Sequence, residues 1–461
     1  MRSLVALVAL AVALALLVPR SAVPGEPQAV APVDSSAIER LVGAALTDSK
    51  GYDRLAYLGD HVGNRLSGSA SLDKAIAWFL EEMEKDGLDS VHKEKVMVHR
   101  WVRGKESSLL LEPVERRLSM LGLGNSVGTP TAGITADVVV VSDWDELEKL
   151  GKDGVSGKVV LFNAPFKSYG ETVAYRVGGP SRAAKLGAVA CLVRSITPVS
   201  LRTPHTGVLH YEEDQPKVPA AAVTIEDAEM LARMQARGER VRVKLSMEAH
   251  MLEDAESANV VAEVKGREHP EEVVVLGGHI DSWDVGTGSS DDGGGAVSAW
   301  EAVRLVRRLG LRPRRTLRVV LWTNEENGSR GAEGYKEAHR AELANHLLAI
   351  ESDSGVAKPS GFGLAKTASS GVRAQAALFG SFLAGLDAGR IGLDGGGADV
   401  EPLGKEGVPV MGLSVDESHY FDYHHTEADT FDKIDRRTFG ECVACMAVMG
   451  YAVADMPERW R

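Results

Sequence analysis

The sequence has few cysteines and gives no sign of a disulfide framework. Its three cysteines, Cys191, Cys442 and Cys445, are odd in number, and 461 residues can bury substantial cores in two domains without disulfide support. Cys442 and Cys445 form a C-x-x-C within the apolar segment ECVACMAVMGYAVADM, which predicts a helix. We therefore interpret them as core thiols rather than as a zinc or redox site.

The sequence also has fewer basic than acidic residues, 52 Lys and Arg against 65 Asp and Glu. The formal net charge is -13 at pH 7, which disfavours nucleic acid or an anionic membrane as a partner. Apolar content of 44% and charged content of 25% are ordinary for a globular protein. The composition therefore excludes neither an enzyme nor a binding module, but we expect no nucleic-acid partner and no stable membrane partner.

One apolar run stands at the N-terminus, from Leu4 to Val18, and ends at the helix-breaking Pro19. It is short for a transmembrane helix and is typical of a secretory signal peptide cleaved near residues 21–25. This predicts a secreted or periplasmic protein, the alternative being an uncleaved membrane anchor. No cysteine lies near the cleavage region, so a lipoprotein anchor is unsupported.

The pattern of short apolar runs changes twice along the chain. Residues 89–113 alternate like a pair of strands at the outer edge of a mixed sheet. From Gly133 short β-rich runs follow one another without a convergent set of acids and histidines, as in an inserted module. After Asn259 strands and helices alternate, which predicts an α/β fold. The expected divisions are a signal peptide (1–25), the first part of the main domain (26–132), an inserted β-rich domain (133–252) and the second part of the main domain (253–461).

The most informative stretch is residues 273–295, VVVLGGHIDSWDVGTGSSDDGGG. It predicts a buried strand that breaks at Gly277 and Gly278, a loop with His279 and several aspartates, and then a helix. A glycine-rich loop between strand and helix also suggests a phosphate cradle. Two adjacent aspartates would repel a pyrophosphate, however, and the G-x-G-x-x-G pattern is not met, so we favour a metal.

Similar strand-like runs downstream also end in acids or histidines. The carboxyl ends of parallel strands meet at one rim of a sheet, so these side chains are expected to converge. Dense carboxylates require cations to stay ionised, and histidines with carboxylates suit Zn²⁺, with Mn²⁺ or Co²⁺ as alternatives, in a two-metal site. The candidates are His279, Asp281, Asp291, Asp292, Glu325, Glu326, Asp353 and His425.

Four motifs in this order resemble the co-catalytic zinc aminopeptidase family, and within it a branch of carboxypeptidases. The motifs are GGHIDSWDVGTGSSDDGGG, WTNEENGSRGA, ESDSG and YHHTEADT. The likeness extends upstream to NRLSGSASLDKA, HRWVRGKESSLLLEP and LGLGNSVGTPTAGITADVVVV. It implies a phosphorylase/hydrolase-like mixed sheet flanked by helices, with an inserted protease-associated (PA) domain, and suggests a homodimer.

The resemblance also implies a role, in a site with two Zn²⁺ ions, for every candidate except Asp292, for which a helix N-terminal position is the simplest explanation. His279 and Asp353 would hold one zinc, Glu326 and His425 the other, and Asp291 would bridge them. Glu325 would be the general base for a water shared by the metals, and Asp281 would orient His279. Spacing does not choose between His424 and His425, whereas the family pattern selects His425.

The predicted function is an exported exopeptidase for dipeptides or short peptides, with the amino- or carboxypeptidase polarity open. The alternative is a non-catalytic ectodomain of the same fold that acts as a binding module, which would be expected to have lost ligands. Tyr423 or His424 is a candidate donor to the oxyanion, with core packing as the alternative. The loop DGGGADV, residues 394–400, either lines the substrate pocket or is a surface turn.

Overall fold

The computed structural model describes residues 33–393 and 395–460, so the predicted signal peptide lies outside the described residues. The described chain forms two eight-stranded mixed sheets. The strands are β1 (Asp89–Val102), β2 (Glu106–Glu112), β3 (Arg116–Leu118), β4 (Met120–Gly122), β5 (Ile134–Val141), β6 (Val159–Phe162), β7 (Ala190–Arg194), β8 (Ala220–Val223), β9 (Arg242–Met247), β10 (His250–Val264), β11 (His269–His279), β12 (Arg315–Trp322), β13 (His346–Glu351), β14 (Pro359–Leu364), β15 (Arg390–Gly392) and β16 (Val410–Val415).

Helices cover both faces of each sheet. They are α1 (Ser35–Thr47), α2 (Lys50–Tyr57), α3 (Ala70–Lys85), α4 (Trp144–Val155), α5 (Tyr169–Thr172), α6 (Ala174–Val177), α7 (Gly179–Lys185), α8 (Ile225–Ala236), α9 (Gly294–Arg308), α10 (Glu325–Gly328), α11 (Arg330–Ala338), α12 (Ser370–Gly380), α13 (Glu401–Lys405), α14 (Tyr420–Tyr423) and α15 (Arg436–Asp455).

The first sheet has the order β1-β10-β12-β11-β13-β16-β14-β15, and its central strands β12, β11, β13 and β16 run parallel. Helices α1, α3, α9 and α15 pack on one face, and α11 and α13 on the other. Parallel strands covered on both faces are continuous apolar runs, as in the VVVL segment of β11. The predicted α/β class, a mixed sheet flanked by helices, is therefore confirmed.

Strand β11 does not end at Gly277 and Gly278, as the sequence suggested. Its parallel pairing with β12 continues to His279, which lies opposite Trp322. A Cβ atom at Gly277 would lie 2.1 Å from the Trp322 ring, and one at Gly278 would lie 2.4 Å from the Asp292 carboxylate. The two glycines therefore allow close packing within the strand instead of ending it.

The second sheet has the order β3-β2-β9-β5-β6-β7-β8-β4, and its strands extend from Glu106 to Met247. It thus begins before the boundary expected at residue 133. Strands β1 and β2 were predicted to pair, but this is wrong: β1 pairs with β10 at the edge of the first sheet, whereas β2 pairs with β3 and β9. Alternation predicts a strand but does not specify its partner.

Helix α15 lies in the core of the first sheet. Cys442 and Cys445 are buried there and form no disulfide, in agreement with their interpretation as core thiols. Burial raises the pKa of Cys442 to about 12, as expected for an unreactive thiol. Within the described ranges, α15 is long and apolar enough to cross a membrane, but nearly all of it is covered by the rest of the chain.

The loop between β11 and α9, residues 280–293, carries Asp291 and Asp292 and is called the aspartate loop. A buried ionic cluster joins α2 to α9, the helix that follows this loop. Glu301 accepts hydrogen bonds from Arg54 Nη1 at 2.8 Å and from Arg304 Nε at 2.6 Å. Arg54 also donates to Asp86 and lies 3.9 Å from the centre of the Trp300 ring. The cluster therefore fixes the position of α9 relative to the N-terminal helices.

We expect Glu301→Ala to lower the free energy of unfolding by about 2–3 kcal/mol, because Arg54 and Arg304 lose the buried carboxylate between them while each keeps another carboxylate partner. Denaturation in urea, followed by circular dichroism, measures this change. The control is Glu81→Ala, which breaks a solvent-exposed pair with Lys85 and should alter stability little. Equal effects of the two substitutions would contradict a special role for the buried cluster.

Candidate metal centre

The carboxyl ends of four parallel strands bring the predicted ligands together. His279 ends β11, Glu326 follows β12, and Asp353 follows β13. His425 follows β16 and the short helix α14, and Asp291 lies in the loop between β11 and α9. All five side chains meet at one place, as expected from their positions at strand ends.

Asp291 lies between two groups of candidate ligands. Its Oδ1 atom is 3.2 Å from His279 Nε2, and its Oδ2 atom is 3.1 Å from His425 Nε2. His279 Nε2 is also 3.4 Å from Asp353 Oδ1, and His425 Nε2 is 3.1 Å from Glu326 Oε2. With bonds of about 2.0–2.1 Å, the ligands of a tetrahedral zinc lie about 3.3 Å apart. The observed separations fit a metal ion on each side of Asp291.

The charges of the cluster also fit a cation. Burial raises the pKa of Glu325 well above its ordinary value, and the charges on Asp353 and Glu326 raise it further. Burial and the nearby Asp291 raise the pKa of Glu326 to about 7. Glu326 Oε1 is one of the buried side-chain oxygens of the described residues that have no hydrogen-bond partner. A bound cation would compensate both the excess negative charge and this oxygen.

Asp281 supports the site by contacts that differ from the predicted ones. His279 Nδ1 bonds to the backbone carbonyl of Asp281 at 3.0 Å, whereas the Asp281 carboxylate is 3.9 Å away. That carboxylate instead accepts hydrogen bonds from the Glu325 amide at 3.1 Å and from Ser67 Oγ at 3.0 Å. Asp281 therefore positions His279 through its main chain and Glu325 through its side chain.

Asp292 also has a place in this arrangement, although the sequence suggested only a helix N-terminal position for it. One carboxylate oxygen accepts from the Gly295 amide at 3.1 Å in the first turn of α9, as that position predicts. The other accepts from the His279 amide at 3.0 Å. Asp292 therefore joins the end of β11 to the start of α9.

Asp429 supports Asp291 and was not singled out from the sequence. Its carboxylate accepts from the Ser290 amide at 2.8 Å and from the Asp291 amide at 3.0 Å. Burial and the charge of Asp291 raise the pKa of Asp429 to about 7. It belongs to the motif YHHTEADT, but only the folded chain shows that this motif reaches the aspartate loop.

Arg65 and Ser67, in the segment NRLSGSASLDKA, hold parts of the candidate metal centre in place. Arg65 is fully buried, and its guanidinium donates to the carbonyls of Ile280, Thr287 and Gly288 at 2.7–2.8 Å. These carbonyls belong to the loop that carries Asp291. Carbonyl acceptors distant in sequence leave no local pattern, so sequence reasoning could not find this contact.

The glycine-rich loop after β15 contains the buried acid Asp399 and lies beside a second buried acid, Glu351. Glu351 accepts hydrogen bonds from the Asp399 and Val400 amides at 2.9 and 3.0 Å. Burial and the charge of Asp353 raise the pKa of Glu351 to about 8. The amides of Asp399 and Val400 therefore support the end of β13, whereas Gly395, Gly396 and Gly397 line a cavity together with Ser354 and Glu417, two residues that also line the cavity at the candidate ligands.

Both adjacent histidines lie in one group of possible metal ligands with Asp291, and they differ in their other contacts. The rings of His424 and His425 stack with their centres 3.5 Å apart. His424 Nε2 is 3.4 Å from Asp291 Oδ2, but His425 also contacts Glu326. His424 lines the cavity beside the candidate ligands, called the central cavity below, and Tyr423 does not. His424 is therefore the better placed of the two predicted oxyanion donors.

The candidate ligands open into this central cavity of about 660 Å³, which is lined by residues from the parts of the chain that carry each of the two sheets. Glu325 and Asp353 lie on the side of the first sheet. Tyr169, Arg176 and His210, from the part of the chain that carries the second sheet, also line the cavity. The sequence offered no sign that this part of the chain reaches the site.

Comparison with known proteins places this geometry in a family. The model of peptidase family M28 matches residues 259–449. Carboxypeptidase Q from Xenopus laevis is 47% identical over 410 residues, which cover 89% of this chain and 87% of that protein. The structure of a peptidase M28 precursor from Shewanella amazonensis has a TM-score of 0.89 at 34% identity, covering 93% of this chain and 98% of that one. BSAP, a zinc aminopeptidase from Bacillus subtilis, shares the fold at 20% identity, with a TM-score of 0.67 and coverage of 89% and 98%.

The residues matched by the family model contain all five candidate ligands and Glu325. The likeness to carboxypeptidase Q extends over most of both chains. Both findings agree with the family resemblance noted in the sequence motifs. The chain therefore belongs to peptidase family M28 and is a metallopeptidase.

Proposed function

We propose that this protein is an exported zinc exopeptidase that hydrolyses dipeptides or short peptides. The observation that carries the proposal is the placement of Asp291 between two sets of histidine and carboxylate ligands, with Glu325 beside them at the cavity. The names of the relatives support it: one is a carboxypeptidase and another a zinc aminopeptidase.

In this proposal the chain holds two Zn²⁺ ions. His279 and Asp353 would hold one, Glu326 and His425 would hold the other, and Asp291 would be shared by both. The ligand separations of 3.1–3.4 Å support the assignment. Zinc, when bound, polarises the scissile carbonyl and lowers the pKa of the attacking water to about 7.

Glu325 acts as the general base. The structure supports this role because Asp281 holds the Glu325 backbone amide at 3.1 Å, and the side chain lines the cavity beside the ligands. Its carboxylate takes a proton from the attacking water and then passes it to the leaving amine. Such a positioned base contributes about 100- to 10,000-fold to the rate.

The remaining features of the proposal concern the rest of the chain. The second sheet belongs to a PA-like domain inserted at about residues 133–252, which extends earlier, to Glu106, if the whole sheet is counted. The apolar N-terminal segment directs export, and the mature protein is secreted or periplasmic. Peptides are the proposed substrates, and a homodimer is the proposed assembly.

Activity on a panel of free, N-blocked and C-amidated dipeptides, measured with and without a metal chelator, tests the proposal. We expect hydrolysis of at least one free dipeptide, loss of that activity with chelator and recovery when Zn²⁺ is added back. The absence of cleavage for every member by the zinc-loaded protein would contradict the proposal and favour the binding-module alternative.

Glu325→Gln should lower kcat by at least about 100-fold, because the amide cannot accept the proton of the attacking water. Metal analysis should still find two zinc ions, since Glu325 is not a ligand. The matched control is Glu326→Ala at the adjacent position, which removes a ligand and should lower the zinc content. Near-normal turnover of Glu325→Gln would remove Glu325 as the base.

Asp291→Ala should strip zinc from both positions, because this carboxylate faces both histidines. Elemental analysis after gel filtration measures the zinc content per chain. The control Asp432→Ala, at an exposed carboxylate close in sequence to the site, should retain two zinc ions. Two zinc ions retained by Asp291→Ala would refute the bridging role.

A further inference from the structure

Arg176, in α6, is a buried arginine at the wall of the central cavity. Its exposed fraction is 4%, and it is the one lysine or arginine among the described residues that line this cavity. Much of the rest of the lining is acidic, with Asp291, Glu325 and Glu326 among the residues. A permanent cation therefore faces a site that is otherwise rich in carboxylates.

The guanidinium of Arg176 is only partly satisfied by the protein. Nε donates to the Val208 carbonyl at 3.3 Å, Nη1 to the Thr206 carbonyl at 3.1 Å and Nη2 to the Tyr169 hydroxyl at 2.9 Å. A guanidinium has five N–H donors, so two remain. Within residues 33–393 and 395–460, no carboxylate lies within 4.0 Å of it.

This lack of a carboxylate partner distinguishes Arg176 from most of the buried arginines of the described chain. Four of them, Arg54, Arg304, Arg315 and Arg318, form ion pairs with glutamates. Arg65 has no such pair, but carbonyl groups surround it and it does not line the cavity. A buried charge without a counter-ion is costly, which indicates that an anion completes the environment of Arg176 when substrate is present.

The local backbone is shaped around this guanidinium. Gly207 has φ +134°, and a Cβ atom there would lie 2.2 Å from Arg176 Nη1, so only glycine leaves room for the side chain. The preceding residue joins Arg176 to the metal centre: the Thr206 carbonyl accepts from Arg176, and the Thr206 amide donates to the His425 carbonyl at 3.0 Å. One residue therefore separates Arg176 from a candidate zinc ligand.

We propose that Arg176 binds the free C-terminal carboxylate of the substrate and thereby selects peptides whose scissile bond lies next to that carboxylate. The inference rests on the proposed peptidase function and adds the polarity that the sequence left open. Two free N–H donors suit a bidentate carboxylate. Arg176 and His425 both form hydrogen bonds with Thr206. This proximity suits a dipeptide, in which the carboxylate and the scissile carbonyl are separated by one residue.

The test compares a free dipeptide with its C-amidated analogue on the zinc-loaded enzyme. The wild type should prefer the free carboxylate by about 100-fold in kcat/KM, as expected when one partner of a desolvated charge pair is missing. Arg176→Gln should lower kcat/KM on the free dipeptide by a similar factor and change the rate on the amide by less than about 3-fold. Arg176→Lys keeps the positive charge but lacks the paired N–H donors of a guanidinium, so it should retain part of the preference that Arg176→Gln loses.

The matched control is Arg182→Gln, an exposed arginine in the same part of the chain, and it should leave the preference unchanged. Tyr169→Phe is a milder second variant, which removes one hydrogen bond to Arg176 and should lower the preference several-fold. If Arg176→Gln does not fold, Tyr169→Phe and Arg176→Lys still test the role of Arg176. A preference for the free carboxylate that is unaltered in both variants would overturn the inference.

The other outcomes are also distinct. Equal rates on the free and amidated dipeptides in the wild type would overturn the role of Arg176 and leave the peptidase function intact. Equal losses on both substrates in a folded Arg176→Gln enzyme with normal zinc content would show a purely structural role and overturn it as well. Failure of the wild type to cleave any peptide would contradict the proposed function itself.

Discussion

The burial of many carboxylates at one rim of a sheet is the constraint on which the rest of the structure depends. Neighbouring carboxylates repel one another, and burial removes the water that would screen them. The chain therefore holds its acids in two layers. The inner layer, with Asp291 at its centre, faces the cavity and the histidines. The outer layer, which includes Asp281, Asp292 and Asp429, accepts backbone N–H groups of the loops that carry the inner layer.

This arrangement explains why so many segments converge on the aspartate loop. Arg65 binds three of its carbonyls, Asp429 binds two of its amides, and the ionic cluster around Glu301 fixes the helix that follows it. The contacts of Arg65 and Asp429 restrain backbone groups, and the ionic cluster restrains a helix, so none of them occupies a candidate metal ligand. The side chains of the candidate ligands are thus left free to face the cavity.

The two sheets contribute opposite charges to the cavity. The first supplies the carboxylates and histidines at its strand ends, and the part of the chain with the second sheet supplies Arg176. In the proposed function, bond cleavage therefore belongs to one sheet and recognition of the substrate terminus to the other. Such a division lets the substrate preference change through Tyr169 and Arg176 without any change at the metal ligands.

The sequence by itself determined the α/β class, the strand ends that carry the candidate ligands and the interpretation of Cys442 as a core thiol. These are local features, because hydrophobic periodicity and residue type are read over a few positions. The pairing of β2, the carbonyl that orients His279 and the cavity contact of Arg176 were decided only by the tertiary structure. Each of these depends on groups far apart in sequence, or on backbone atoms that every residue shares, and neither leaves a pattern in the order of side chains.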